Sequence, residues 1–221
     1  SSCVGAGAFT TEIFGDEGYG FDVCCDVYEN KERIVCYSFG IGEDLSFSRA
    51  SAERFPNCEI YAFDPTPKAI AYVEAYDKSV FPHFDFYQYG LSDNEDKTVF
   101  YLPKNPDYVS GSEIENGGVD TGHKIEVQMH FLGYLMKMLN HTSVDLLKMD
   151  IEGSEFKVLP QILDTGIAIG QICVELHNRF FDDGDERLRL ILERMQNSGY
   201  RMIKVSEQME EFTFIHTDVL A

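Results

Sequence analysis

Tryptophan is missing from this chain, and basic residues are scarce. Only 18 Lys and Arg stand against 38 Asp and Glu, a formal net charge of −20 over 221 residues. A field of that sign repels phosphate backbones and anionic lipid surfaces, which sets nucleic acid aside as a partner. The first 30 residues hold no Lys or Arg at all. Long apolar runs are missing too: none approaches the ~20 residues of a membrane-crossing helix, and no signal-peptide pattern opens the sequence. The expectation is a soluble domain, either cytoplasmic or, within a longer anchored chain, in the secretory pathway. The six cysteines include no C-x-x-C pair, so a sulfur-held zinc is set aside. Cys36 and Cys173 sit in apolar runs and read as small buried hydrophobes. Cys3, Cys24, Cys25 and Cys58 are the disulfide candidates in an oxidising compartment.

What is abundant is core material, with 44% hydrophobic residues and 17 Phe. That length fits one large domain. The chain divides into an acidic N-terminal extension, residues 1–30, and a main domain, residues 31–221. The extension reads as a solvated flap or as part of a substrate lip, with FDVCCDVY (Phe21 to Tyr28) as a short strand or turn beside the core.

Ile34 to Asp64 organises the rest. Ile34, Val35, Cys36, Tyr37 and Phe39 form a near-continuous apolar run, the pattern of a strand buried on both faces. Gly40 and Gly42 then allow a tight turn and close approach to a ligand. Asp44 or Ser46 is placed to cap a following helix, whose N-terminus offers unpaired N–H groups. A second apolar run, Ile60 to Phe63, ends on Asp64, 24 positions after Gly40. In a dinucleotide-type βαβ unit an acid there accepts the hydroxyls of a ribose.

Further along, Pro67 starts a helix reaching about Asp77. Phe84 to Ser92 reads as a third strand ending at Gly90, and Thr98 to Pro103 as an antiparallel edge strand. Asn105 to His123 is glycine-rich loop whose Tyr108, Ser110 and Ser112 either line a substrate site or lie on the surface. Ile125 to Met129 alternates like a strand, and Phe131 to Asn140 has helical spacing. Val144 to Ile151 is a buried strand that delivers Asp150 and Glu152 to its carboxyl end, with Glu155 close behind. Two acids there either serve a helix N-terminus as cap and first-turn charge, or stand where α/β enzymes place their chemistry. The strand QICVEL presents Glu175 and His177 beside the same crevice. His177 is the candidate general base, an imidazole whose pKa lies near working pH. Asp150, Glu175 and His177 also make an oxygen-rich donor set for a divalent cation, Mg²⁺ or Mn²⁺. A helix from Asp185 to Asn197 and a terminal hairpin, RMIKVS and EFTFIHT, complete the chain.

SFGIGEDLSF, AFDPTP and LLKMDIEGSEF, with VELH downstream, resemble the S-adenosylmethionine-dependent methyltransferases of the FkbM and methyltransferase-like type, over about residues 30 to 217. The resemblance implies a class I methyltransferase domain at 31–221. Its Rossmann-like doubly wound α/β sheet has seven strands in the order 3-2-1-4-5-7-6, the last antiparallel. It implies that Gly40 and Gly42 cradle the methionine part of S-adenosyl-L-methionine, that Asp64 holds the ribose beside Pro65, and that Gly90 and Leu91 flank the adenine. Asp150 and Glu152 then face the methyl group and a small-molecule or glycan acceptor, with a sugar hydroxyl as the site of O-methylation. Ser38 stands where the family often carries an acid, so Glu43 or Asp44 takes the cofactor's amino group instead. The rival readings are an NAD or nucleotide-sugar oxidoreductase, whose Gly-x-Gly-x-x-Gly motif is broken here at Leu45, and a catalytically inactive binding domain of the same fold.

Overall fold

A computed structural model of the chain describes residues 9–16, 20–104, 111–114 and 119–220; the expectations for Cys3, Tyr108 and Ser110 fall outside them. A short hairpin, β1 (Thr11–Phe14) and β2 (Phe21–Cys24), comes first, followed by β3 (Ile34–Phe39). Every residue of β3 is buried, as its unbroken apolar run demands of a strand covered on both faces. Then follow α1 (Ser46–Arg54), β4 (Cys58–Phe63), α2 (Pro67–Ala75) and β5 (Phe84–Tyr87). Pro67 opens its helix, where its missing N–H costs nothing. The middle of the chain forms β6 (Gly90–Leu91), β7 (Lys97–Pro103), β8 (Val119–His130) and α3 (Leu132–Met138). It closes with β9 (Val144–Met149), α4 (Glu155–Thr165), β10 (Ile169–Glu175), α5 (Gly184–Asn197), β11 (Tyr200–Val205) and β12 (Glu211–His216).

One sheet of seven strands runs β11-β12-β10-β9-β3-β4-β5. Numbered along the chain within that sheet, the order is 3-2-1-4-5-7-6, and β12 is antiparallel to both its neighbours. The side chains of β3 sort to two layers by strand alternation. Tyr37 and Phe39 pack with Leu132, Leu135, Val158, Ile162 and Ile191, so α3, α4 and α5 cover that face. Ile34 and Cys36 pack with Phe47, Ala52, Ala69 and Val73, so α1 and α2 cover the other. No helix among the described residues is long and apolar enough to cross a membrane.

Four sequence-based expectations change. The third strand ends at Tyr87 rather than Gly90; Gly90 and Leu91 instead pair with Met129 and His130 in a separate three-stranded sheet, β6-β8-β7. Thr98 to Pro103 is the antiparallel edge strand expected, and the sheet it edges is this small one, where it pairs with β8. The glycine-rich loop is shorter than it reads, because Val119 to His123 already belong to β8. And the N-terminal stretch is no solvated flap: Phe14 is buried in the core with Ile34 and Cys36, and Phe21 to Tyr28 packs there too, as the reading of FDVCCDVY beside the core has it. Its acidic side chains conceal an apolar face in alternation. Cys24, Cys25, Cys36, Cys58 and Cys173 are all buried free thiols, so the disulfide expectation fails for Cys24, Cys25 and Cys58. Burial pushes the Cys25 and Cys173 thiols up to about 12, out of reach of thiolate chemistry.

Gln171, fully buried on β10, ties the hairpin to the sheet. Its amide accepts from the Cys24 N–H at 2.8 Å and donates to the Cys24 carbonyl at 3.2 Å and the Tyr28 hydroxyl at 2.8 Å. Replacing it strands buried polar groups, each costing about 1–3 kcal/mol. Gln171→Leu is therefore expected to lower the unfolding free energy by at least about 2 kcal/mol in urea titration. A loss within experimental error would mean that the hairpin is held by apolar packing alone.

Candidate active site

The carboxyl ends of the parallel strands open into one cavity of about 730 Å³. On the β3 side Gly40 and Gly42 take left-handed backbone, φ +70° and +52°. Gly40 has no alternative: a Cβ there would fall 1.6 Å from the carbonyl oxygen of Asp150. Strand β9 thus presses directly against the glycine turn, and the Asp150 N–H donates to the Phe39 carbonyl at 3.2 Å. Asp64, at the end of β4, accepts from the Gly42 N–H at 2.9 Å and from the Thr66 N–H and hydroxyl at 2.9 and 2.6 Å. Burial raises its pKa against those hydrogen bonds. Asp44 accepts from the Ser46 N–H at 2.6 Å and so holds the first turn of α1. Below lies an aromatic floor: Phe39 stacks on Phe63 at 4.5 Å, Phe63 on Tyr87 at 5.4 Å, and Tyr89 extends the series beside Gly90 and Leu91.

Across the cavity, β9 and β10 deliver four carboxylates around one imidazole. His177 is 1% exposed, and its Nδ1 pairs with Oε1 of the wholly buried Glu155 at 3.0 Å. Its Nε2 faces Glu175 at 3.2 Å, Glu152 at 3.5 Å and Asp150 at 3.7 Å. Glu155 also accepts from the N–H groups of Ile151 and Gly153, both at 2.9 Å, so one buried side chain shapes the turn and aims the ring. That turn carries Glu152 at φ +54°, a conformation costly for a residue with a side chain. Ser112 secures it, donating its hydroxyl to the Glu152 carbonyl at 2.8 Å.

Asp150, Glu152, Glu175, His177, Gly40, Gly42, Glu43, Asp64, Pro65, Gly90 and Leu91 all line this cavity. Ser38 does not. It is buried within β3, and its register neighbour Lys148 sends its ammonium past it to the carbonyls of Gly40 at 2.6 Å and Phe39 at 3.3 Å. The reading of His177 as a base near neutral pH also changes. Burial lowers the pKa of the imidazole, but the charge and hydrogen bond of Glu155, then Asp150 and Glu175, outweigh it and raise the pKa to about 10. At neutral pH the ring holds its proton and acts as a countercharge. Burial, then the Asp150 charge, lifts Glu175 to about 8. Asp150 is not a helix cap: α4 starts at Glu155, after Ser154. Sequence reasoning missed the roles of Lys148 and Glu155, although both lie in KMDIEGSE; of the two readings of the N-terminal stretch, Asp16 and Phe21 at the cavity rim fit the lip.

The family model described as the methyltransferase FkbM domain matches residues 26–202. The chain belongs to the FkbM methyltransferase family. No curated protein matches it. Among solved structures the FkbM domain is similar to Methanococcus jannaschii fibrillarin, a pre-rRNA processing protein, at 11% identity and TM-score 0.49, covering 98% of this chain and 86% of that one. It is similar to Aeropyrum pernix fibrillarin, crystallised with natively bound S-adenosyl-L-methionine, at 10% identity and TM-score 0.47, covering 96% and 84%. The precorrin-6y C5,15-methyltransferase of Geobacter metallireducens matches at 10% identity and TM-score 0.45, covering 86% and 81%. At these scores the resemblances carry no argument beyond the family match.

The raised His177 pKa has a stability consequence. A folded value of about 10 against an ordinary 6.5 means a contribution fully present below about 6.5 and lost as pH rises towards 10. In chelator-treated buffer, the stability gap between wild type and His177→Gln is expected to narrow steadily from pH 6.5 to pH 10. A gap that stays constant over that range would show that the ring is not charged.

Proposed function

We propose that this FkbM domain transfers the methyl group of S-adenosyl-L-methionine to a hydroxyl of a sugar. One observation carries the reading: the glycine turn with Asp64 and the carboxylate–imidazole cluster open into the same cavity, one on each side. The turn's backbone and the Asp64 carboxylate suit the methionine and ribose parts of the cofactor, with the aromatic floor and Gly90–Leu91 under the adenine. Glu43 and Asp44 line the same end and suit its ammonium. The far side, with Glu152, Glu175, Gln208, Glu210, Glu211 and Arg179, is dense in hydrogen-bonding groups and poor in net positive charge. That lining fits a neutral, hydroxyl-rich acceptor and repels an anionic one.

In the reaction the acceptor O–H bond breaks and its proton passes to the Glu152 carboxylate. S-adenosyl-L-methionine, when bound, would supply the sulfonium methyl that the acceptor oxygen takes in line, the S–CH₃ electron pair remaining on sulfur as S-adenosylhomocysteine. In the metal-free site His177 keeps its proton and holds the surrounding carboxylates in place, so the base is drawn from those carboxylates. Placement of acceptor and cofactor in one cavity supplies orientation.

Calorimetry with S-adenosylmethionine and with NAD tests the cofactor: binding of NAD alone would restore the oxidoreductase reading. Asp64→Ala is expected to weaken S-adenosylmethionine by about 1.5–3 kcal/mol, the range for losing hydrogen bonds to a charged group. Equal affinity in that variant removes Asp64 from the cofactor site. For the chemistry, formation of S-adenosylhomocysteine is followed over a panel of neutral, amino and phosphorylated sugars. Methylation should be confined to uncharged or amino sugars, and Glu152→Gln should lower turnover about 10²–10⁴-fold with cofactor affinity kept. Product from the phosphorylated members only would overturn the acceptor assignment.

A further inference from the structure

Glu155, Ile151 N–H and Gly153 N–H account for one side of the His177 ring and its turn. The other side is less complete. Asp150 Oδ1 is buried without a hydrogen-bond partner, 3.7 Å from His177 Nε2. One ligand atom each from Asp150, Glu175 and His177 lie within 4.8 Å of one another. We propose that Asp150, Glu175 and His177 form a binding site for a single divalent cation of the Mn²⁺ or Mg²⁺ class, and this deepens the methyl-transfer reading by placing the ion on the acceptor side of the cavity.

Three features separate this cluster from an ordinary acidic surface. The imidazole is almost wholly buried and is fixed by a buried carboxylate on its far nitrogen, the arrangement that orients a metal-bound histidine and raises its basicity. The donors come from the ends of two adjacent parallel strands, β9 and β10, whose register is locked by the sheet. And, among the described residues, Asp150 Oδ1 is buried with no hydrogen bond, its one ion-pair contact the His177 Nε2 at 3.7 Å. A second group of acids, Glu175, Glu210 and Glu211, has neither an imidazole nor a buried oxygen without a hydrogen bond, and Arg179 pairs with Glu210 at 2.7 Å, closer than its 3.6 Å to Glu175. Two carboxylates with one imidazole favour a hard to borderline ion that keeps open positions for water or an acceptor oxygen. Binding displaces the Nε2 proton of His177 to solvent, since only the neutral ring can be a ligand, and an ion held there would supply Lewis-acid polarisation of the acceptor hydroxyl. Glu152 stands beside the ring, in place to take the released proton.

The probe is Mn²⁺ alone, titrated into the full chain and read by the electron-spin signal of the unbound ion. One site per chain is expected. Asp150→Asn and Glu175→Gln should each weaken it at least tenfold. Glu155→Gln, which releases the ring's far nitrogen, should weaken it by about 10–100-fold. Glu210→Gln should leave it unchanged. Circular dichroism and thermal melting establish that each variant is folded; because Glu155 also shapes the turn, the two ligand variants decide if that one unfolds. No stoichiometric binding up to millimolar Mn²⁺, or binding lost in Glu210→Gln but kept in Asp150→Asn, overturns the site. Calorimetry with S-adenosylmethionine in chelator runs in parallel. Cofactor binding without Mn²⁺ binding sinks the ion and leaves the methyl-transfer reading standing, and the reverse result sinks that reading and leaves the ion.

Discussion

A wholly buried carboxylate, Glu155, is the interaction on which the acceptor side of the cavity depends. It pairs with one side of a buried imidazole and, with Ser112, holds the turn that carries a left-handed Glu152 by satisfying two of its N–H groups. A buried charge of this kind is tolerated only when paired and hydrogen-bonded at every lone pair it presents. Here those bonds are also what set the positions of Asp150, Glu152 and His177. The site's geometry and the stability of the turn are therefore one quantity, and neither can be altered alone.

The cofactor side follows a different logic. Its turn is shaped by close backbone approach, since Gly40 lies against the carbonyl of Asp150. Lys148 stitches that contact from below by donating to the two carbonyls around the turn. The same strand, β9, thus supports the glycine turn through Lys148 and carries the acceptor-side acid at Asp150. Two half-sites that must act on one methyl group are held at a fixed separation by a single rigid element, which is what proximity catalysis requires.

Two additions to the main sheet close the cavity's rim. The N-terminal hairpin, pinned by Gln171, contributes Asp16 and Phe21. The small sheet between β5 and α3 contributes Phe100 and Gly111, and reaches the acceptor turn through Ser112. Glu113 reinforces that contact, accepting from Ser154 at 2.5 Å and pairing with Lys157 at 2.8 Å. The hairpin is held by apolar packing of Phe14, Phe21, Val23 and Tyr28 as well as by Gln171, whereas the small sheet reaches the acceptor turn through polar contacts and is the more sensitive to single polar substitutions.

The central strands of the main sheet were legible in the sequence because they are apolar runs buried on both faces and bounded by Gly, Pro and acids, while the strand order followed from the resemblance to the FkbM type. Gly40, Gly42, Asp64, Asp150 and Glu152 were legible for the same reason: strand ends in a parallel sheet all open on one crevice. Other features were decided only by tertiary structure. The buried face of the N-terminal hairpin hides among acidic residues, because alternation over four residues is too short a signal to separate from a loop. The small sheet could not be told from an extra edge strand, since pairing partners are a matter of register and not of local composition. Burial separated the roles of neighbouring acids: Glu155 became the structural anchor, while Asp150 and Glu152 line the cavity. Sequence placed His177 beside that crevice. Its proton was decided by the three-dimensional surround, because a pKa depends on how many carboxylates stand within a few ångströms and not on the residue type.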